Sequence, residues 1–143
     1  MADAQSSRRD KVPGLIEYTL PGGWQVLVGR SDRDNDYLSL ELARPNDWWF
    51  HVRRLPGSHV VLRVPEGGEQ PDRETVKQAA AIAAFHSKAR EAGTVTVSCT
   101  RARHVSKPRG AKPGTVQISR ETVLKARPGL PPAPVEEPAR QTP

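Results

Sequence analysis

This sequence of 143 residues has few cysteines, few acidic residues near its end and no long apolar run. Its single cysteine, Cys99, cannot form a disulfide within the chain, so a reducing compartment is expected. The absence of an apolar run long enough for a signal peptide or a membrane span predicts a cytoplasmic location without membrane contact. Hydrophobic residues make up only 36% of the chain and prolines number 14, which favours one small domain with loose ends, expected to be monomeric.

The positive charge is confined to one end of the chain. Residues 1–100 carry 13 Lys/Arg and 13 Asp/Glu, which cancel, whereas residues 101–143 carry 9 and 3, so this end supplies the formal charge of +6. A basic segment beside a neutral body is typical of a protein that binds a polyanion. Basic stretches also occur for solubility alone, so charge does not decide between the two interpretations.

The stretch 47–64, DWWFHVRRLPGSHVVLRV, is predicted to be the central β-hairpin. Two apolar runs flank Pro56-Gly57, a strong turn signal. Antiparallel counting places His51 opposite His59, and alternation along the strand puts Trp49 on the same face. The opposite face is predicted to point to the core with Trp48, Phe50 and Val52, and Ser58 is predicted to hydrogen-bond the turn backbone.

The two histidines of this hairpin allow three interpretations. They could lock the hairpin through hydrogen bonds, contact RNA, or serve as base and acid in an RNA- or nucleotide-processing enzyme, with Ser58 and Asp47 nearby. We expect His59 to be the more structural of the two and His51 to lie closer to a ligand. No third metal ligand is found near them, and Asp32, Asp34 and Asp36 lack the glycine and glutamate of a calcium loop, so neither a metal nor a cofactor is predicted.

The remaining patterns predict an α+β domain with a largely antiparallel sheet, one long helix and one short helix. Further strands are predicted at 16–20, 24–28, 94–100, 115–118 and 122–126. The short helix spans 31–43 with Asp34 or Asn35 as its cap, and the long helix spans 72–91 with Asp72 as its cap and Gly93 after its end. The domain is predicted at 14–127, with a flexible arm at 1–13 and a disordered Pro-rich tail at 128–143 that could serve a protein-interaction adaptor.

Three side chains in these elements require a specific environment. His86 falls on the apolar side of the long helix, where a lone histidine is usually a hydrogen-bonded packing residue. Side chains alternate along the strand, so Arg101 and Arg103 are predicted on the same buried face as Val95, Val97 and Cys99. Unpaired arginines cannot stay in an apolar core. The strand must therefore leave the sheet or bulge at this point.

Four motifs in order resemble the NFACT-R family, the RNA-binding domain of RqcH/NEMF-type ribosome-quality-control proteins. They cover roughly residues 24–126 and comprise Gly29-Arg30 with Asn35-Asp36-Tyr37-Leu38, the segment WFHVRRLPGSHVV, the alanine-rich helix that ends in Ser87, and KPRGAKPG at residues 107–114. In this family the domain helps to hold tRNA on the large ribosomal subunit while alanine tails are added to stalled chains. A chain of this length has no room for the family's amino-terminal domain or coiled coil, so we expect an RNA-binding accessory rather than tailing by this chain alone.

The resemblance and the charge pattern together predict RNA as the partner, either tRNA or ribosomal RNA, possibly on the large ribosomal subunit. Residues 101–127 hold eight Lys/Arg and one acid, and glycines in 106–114 allow a backbone to approach phosphate. The predicted RNA-binding residues are Arg30, Trp49, His51, Ser58, His59, Arg101, Arg103, Lys107, Arg109 and Lys112.

Overall fold

The computed structural model describes residues 14–131, so the predicted arm at 1–13 and the tail beyond residue 131 lie outside the described residues. The strands are β1 (Leu15–Thr19), β2 (Gln25–Gly29), β3 (Trp48–Val52), β4 (Val60–Leu62), β5 (Val95–Arg101), β6 (Val105–Ser106), β7 (Gln117–Ile118) and β8 (Thr122–Ala126). The helices are α1 (Asp32–Asp36), which continues as a π-helical segment (Tyr37–Leu42), α2 (Arg73–Phe85) and a 3-10 turn (Ala102–His104). The predicted α+β class is confirmed.

Six strands form one antiparallel sheet in the order β1-β2-β4-β3-β5-β8. In the central hairpin Trp49 pairs with Val61 and Phe50 pairs with Val60. Continuing this register by one residue puts His51 opposite His59, and their ring centroids are 5.4 Å apart. The hairpin register predicted by counting is therefore confirmed, although the strands are joined by the longer connection 53–59.

The two faces of the sheet are covered differently. Helix α2 packs its alanine-rich side on one face, against alternating strand residues such as Phe50 and Val60. Alanines allow this close approach because they add little bulk between helix and sheet. On the other face Trp49 and Leu27 pack with Leu38 of the π-helical segment, and the small sheet of β6 and β7 closes over them.

The caps and ends of the helices differ in part from the prediction. Asp72 does cap α2, since its Oδ1 accepts a hydrogen bond from the Thr75 N–H at 2.8 Å. Helix α1 is capped by Ser31 rather than by Asp34 or Asn35, because the Ser31 Oγ accepts from the Asp34 N–H at 3.1 Å. Asn35 is instead buried, which frees its amide for the tertiary contact described below.

Helix α2 ends at Phe85, six residues before the predicted end at Glu91, because the next residues pair with the hairpin turn. The His86 carbonyl accepts from the Ser58 N–H at 2.9 Å, and Ser87 forms a β-bridge with Gly57. The turn is thus tied by the Ser58 backbone N–H to the residue that follows α2, and not by the predicted bond of the Ser58 side chain. His86 is confirmed as a hydrogen-bonded packing residue, with its Nε2 at 2.8 Å from the Tyr18 hydroxyl.

No helix within residues 14–131 is both long and apolar enough to cross a membrane.

The contact between turn and helix leaves no room for a side chain at residue 57. A Cβ placed on Gly57 would lie 2.8 Å from the Ser87 Cβ, closer than such atoms approach in real structures. We expect Gly57→Ala to lower the free energy of unfolding by roughly 1–3 kcal/mol, the usual cost of overpacking. Urea denaturation of the full chain measures this change.

Gly93→Ala is the matched control, since a Cβ at Gly93 meets nothing within 4 Å. It should be neutral or raise stability by about 0.4–1 kcal/mol through the unfolded state. Equal stabilities of the two variants would contradict the close packing of residues 57 and 87.

Candidate nucleic-acid interface

The side chain of His59 is the centre of a buried hydrogen-bond network. It is only 3% exposed, and its Nδ1 lies 2.7 Å from the Ser39 Oγ. The same Oγ accepts a hydrogen bond from the Trp49 Nε1 at 2.8 Å. When the Ser39 hydroxyl donates to Nδ1, Nε2 carries the ring proton and can donate to the backbone of Gly114, a contact that partly offsets the fall in the pKa of His59. One imidazole therefore connects the π-helical segment, the hairpin and the glycine-rich loop.

The backbone of His59 is also hydrogen-bonded on both sides. The His59 N–H donates to the Asn35 Oδ1 at 3.0 Å, and the His59 carbonyl accepts from the Gly29 N–H at 3.1 Å. A Cβ on Gly29 would lie 2.0 Å from the same Asn35 oxygen, so only glycine fits. The first two motifs, Gly29-Arg30 with 35–38 and the hairpin segment, are thus one contact in space.

Both hairpin histidines are kept neutral at physiological pH. Burial, followed by the neighbouring His51, lowers the pKa of His59 to about 4. The pKa of His51 is also lowered, chiefly by burial. A general base or acid works best with a pKa near the operating pH, and the ring nitrogens of His59 already have protein partners. The geometry of His59 therefore favours the interpretation that it locks the hairpin.

The structure places Trp49 inside with His59, at 2% exposure and with its indole N–H bonded to Ser39. Neither ring offers a face on which a base could stack, so these two residues position other elements. His51 is only half-buried and lies between the Trp49 and His59 rings and the partner strand residue Ser98. It remains the member of the trio nearest to solvent.

The glycine-rich loop 107–115 is docked on α1 by Lys107. The Lys107 Nζ lies 3.0 Å from the Asp36 Oδ2 and 3.1 Å from the Thr115 carbonyl oxygen, and it also donates to the Lys112 carbonyl. The Asp36 Oδ1 accepts from the Gly114 N–H at 3.0 Å. Lys107 thus uses its charge inside the loop. Arg109 and Lys112 are exposed and form no ion pair within residues 14–131.

Arg101 and Arg103 avoid the core because β5 ends at Arg101 and a 3-10 turn follows. The Arg101 guanidinium lies 3.8 Å from the centre of the Trp48 ring and donates to the Asn46 carbonyl at 2.6 Å. Arg103 donates to the Asn46 Oδ1 at 2.5 Å. Arg101 pairs with Trp48 at one end of the sheet, whereas the Lys107 loop docks at the other end, beside α1. The predicted basic segment is therefore divided between two places.

A cleft of about 440 Å³ lies at the end of the sheet where Gly29 and the hairpin turn meet the end of α2. Arg30 and Ser58, both predicted from the sequence, are part of its wall. Lys88 and Arg90 lie in the same wall but were not among the predicted site residues. The predicted helix continued to Glu91 and so did not bring them to the hairpin turn. Asp32 lines the cleft and also lies against Gly114, so the cleft and the glycine-rich loop are adjacent.

Within the described part of the chain, no group of three or more His, Cys, Asp or Glu side chains is arranged to hold a metal ion. Two of the aspartates that suggested a calcium loop have other contacts, since Asp36 binds Lys107 and Gly114, and Asp32 packs against Gly114.

The depressed pKa of His59 makes folding depend on pH. The pKa falls from 6.5 in the unfolded chain to about 4 in the folded one, so the unfolded state binds more protons between these values. Stability should be complete above pH 6.5 and should fall by roughly 2–3 kcal/mol from this residue as the pH drops to 4.5. Urea denaturation across this range measures the slope.

His59→Asn keeps an amide near the Ser39 hydroxyl and should reduce this pH dependence, although it lowers the stability at pH 7; the lowered pKa values of His51 and His86 keep part of it. Parallel curves for His59→Asn and the original protein would show that His59 is not the titrating group.

Comparison with known proteins identifies the family of this chain. The family model described as the NFACT protein RNA binding domain matches residues 16–120. The chain is 43% identical over 121 residues to the Rqc2 homolog RqcH of Bacillus subtilis (strain 168), which covers 84% of this chain and 20% of that protein. It is 37% identical over 103 residues to the Rqc2 homolog RqcH of Streptococcus suis (strain 05ZYH33), covering 72% and 18%.

A solved structure has the same fold. The C-terminal part of the fibronectin/fibrinogen-binding protein from Streptococcus suis superposes with a TM-score of 0.73 at 35% identity, covering 79% of this chain and 45% of that one. The chain thus spans about a fifth of the length of the curated relatives that it matches. Because the family model covers most of the described residues and all four motifs, the chain belongs to the NFACT RNA-binding domain family.

Proposed function

We propose that this domain binds structured RNA, either tRNA or ribosomal RNA, as a cytoplasmic monomer that acts in ribosome-associated quality control on the large ribosomal subunit. The observation that carries the proposal is the docked glycine-rich loop. Lys107 and Asp36 hold it in place, while Arg109 and Lys112 remain exposed at its surface.

A preorganised basic loop suits the RNA backbone. Phosphates supply most of the affinity in nucleic-acid binding, and exposed Arg and Lys side chains neutralise them. Because Lys107 already orders the loop, less conformational entropy is lost when RNA binds. The glycines at 110 and 114 have φ values of +77° and +87°, which give the loop a path that other residues rarely follow. A Cβ at Gly110 would meet nothing within 4 Å, so the backbone there is open to a phosphate.

Arg101 and Arg103 support a second contact at the other end of the sheet. The Arg101 guanidinium lies over the Trp48 ring and Arg103 is exposed nearby, so the two present adjacent positive charges. A fold with basic residues at both ends of one sheet can touch two separated phosphate groups of a folded RNA. This arrangement favours a structured RNA over a short single strand.

The names of the relatives support the proposed place in quality control. Two of them are named Rqc2 homolog RqcH, and they align with this chain over only about a fifth of their length. We therefore assign the chain the RNA contact of such proteins and not their complete activity.

The loop contact makes affinity dependent on salt in a defined way. Replacing Arg109 and Lys112 by glutamine should weaken binding to labelled tRNA or ribosomal RNA fragments and reduce the slope of log K against log salt by about two, one for each lost phosphate contact. Fluorescence anisotropy between roughly 50 and 200 mM salt measures both quantities.

Lys77→Gln is the matched control, since it removes a positive charge from α2 on the opposite face of the sheet. It should reduce the slope by much less. Affinity that stays flat between low and physiological salt, or equal losses in the control and the loop variant, would argue against the loop as the RNA contact.

A further inference from the structure

The cleft at the end of α2 is built by backbone contacts and is therefore present before any ligand binds. The Ser58 N–H donates to the His86 carbonyl at 2.9 Å, and the Lys88 N–H donates to the Pro56 carbonyl at 3.0 Å. The Ser87 Oγ donates to the Ala84 carbonyl at 2.7 Å and fixes the turn that follows α2. These bonds hold the hairpin turn and the end of the helix at a constant separation.

The charge of this cleft is positive. Arg30, Lys88 and Arg90 line it against the single acid Asp32. None of the three cations forms an ion pair with a residue in the described range 14–131. His86 adds no charge at neutral pH, because burial and then Arg90 lower its pKa. A phosphate group would find cations here whose charge is not yet compensated.

One wall of the cleft contains a contact between an arginine and an aromatic ring. The Arg90 guanidinium lies 3.9 Å from the centre of the Phe85 ring, and its Nε donates to the Phe85 carbonyl at 2.9 Å. The guanidinium is thus held over an aromatic ring, and bases stack on aromatic and arginine side chains in RNA complexes. Ser58 also lines the cleft, which puts a hydroxyl near this contact.

We propose that this cleft binds one unpaired nucleotide of the RNA, with the phosphate on Arg30 and Lys88 and the base on the Arg90–Phe85 pair. The volume of about 440 Å³ lies in the usual range of small-ligand pockets and is too small for a duplex. Proteins recognise RNA mainly at loops, bulges and ends, where a base can leave its stack. The proposal rests on the proposed RNA binding and adds to it the structural element of the RNA that is recognised.

The site can be tested without a whole RNA. Nitrogen-15-labelled full chain is titrated with adenosine monophosphate, cytidine monophosphate, adenosine and inorganic phosphate while amide shifts are followed. The nucleotides should cause saturable shifts at Gly57, Ser58, Ser87 and Lys88, with affinity roughly tenfold above that of phosphate or nucleoside alone, since each of these has only half of the contacts. Equal affinity of phosphate and nucleotide, or shifts confined to residues 107–115, would overturn the proposal.

Variants separate the cleft from the loop. Lys88→Glu and Arg30→Glu should abolish the nucleotide shifts, whereas Lys77→Glu, the same change within α2 and outside the cleft, should leave them unchanged. With RNA, the original protein should prefer a hairpin with an unpaired loop over a blunt duplex of the same stem by roughly tenfold. Lys88→Glu should remove that preference and retain duplex binding.

The RNA results also separate this inference from the proposed function. If the chain binds RNA with the same affinity for hairpin and duplex, and Lys88→Glu changes neither, the cleft proposal fails while RNA binding stands. If neither RNA binds the original protein, the proposed function fails, and the cleft proposal fails with it even where free nucleotides bind.

Discussion

A buried neutral imidazole holds together the three segments that form the surface of this domain. The Nδ1 atom of His59 is hydrogen-bonded to the Ser39 hydroxyl, and the His59 backbone N–H donates to the Asn35 side-chain oxygen. A polar group removed from water must find a partner, and this one has partners from segments that are otherwise separate in the chain. The need to satisfy a single buried side chain therefore fixes the helix, the hairpin and the neighbouring glycine-rich loop relative to one another.

The exposed surface follows from that internal constraint. Because Trp49 and His59 are buried, their rings cannot stack on a base. In the proposed RNA complex the contacts therefore come from charged residues around the hairpin. The basic residues themselves fall into two kinds. Lys107 is bonded to Asp36 and to loop carbonyls, and Arg101 is stacked on Trp48, whereas Arg109 and Lys112 lie exposed. A charge that holds a loop in place makes the neighbouring charges more effective, because the loop need not be ordered on binding.

The loop and the cleft suit different features of one RNA. In the proposed complex the loop would offer exposed cations to backbone phosphates, and the cleft, with its limited volume and its Arg90–Phe85 contact, would hold an extruded nucleotide. Asp32 touches both, so the two sites are neighbours on either side of α1. An RNA whose paired and unpaired parts meet at a short distance would match this arrangement, which is a common feature of folded RNAs.

The sequence by itself determined the local structure and the family. Alternation, turn residues and the Asp72 cap predicted the class, the helix faces and the hairpin register, because these depend on neighbours in the chain. The end of α2 was decided only by tertiary contact, since residues 86–88 bond to the hairpin turn in place of continuing the helix. The same contact forms the cleft that Lys88 and Arg90 line. No local sequence pattern indicates that these two residues lie beside the hairpin turn. Burial of Trp49 and His59 likewise depended on a loop more than 50 residues away along the chain, because side chains on one sheet face are exposed or covered according to what packs on them.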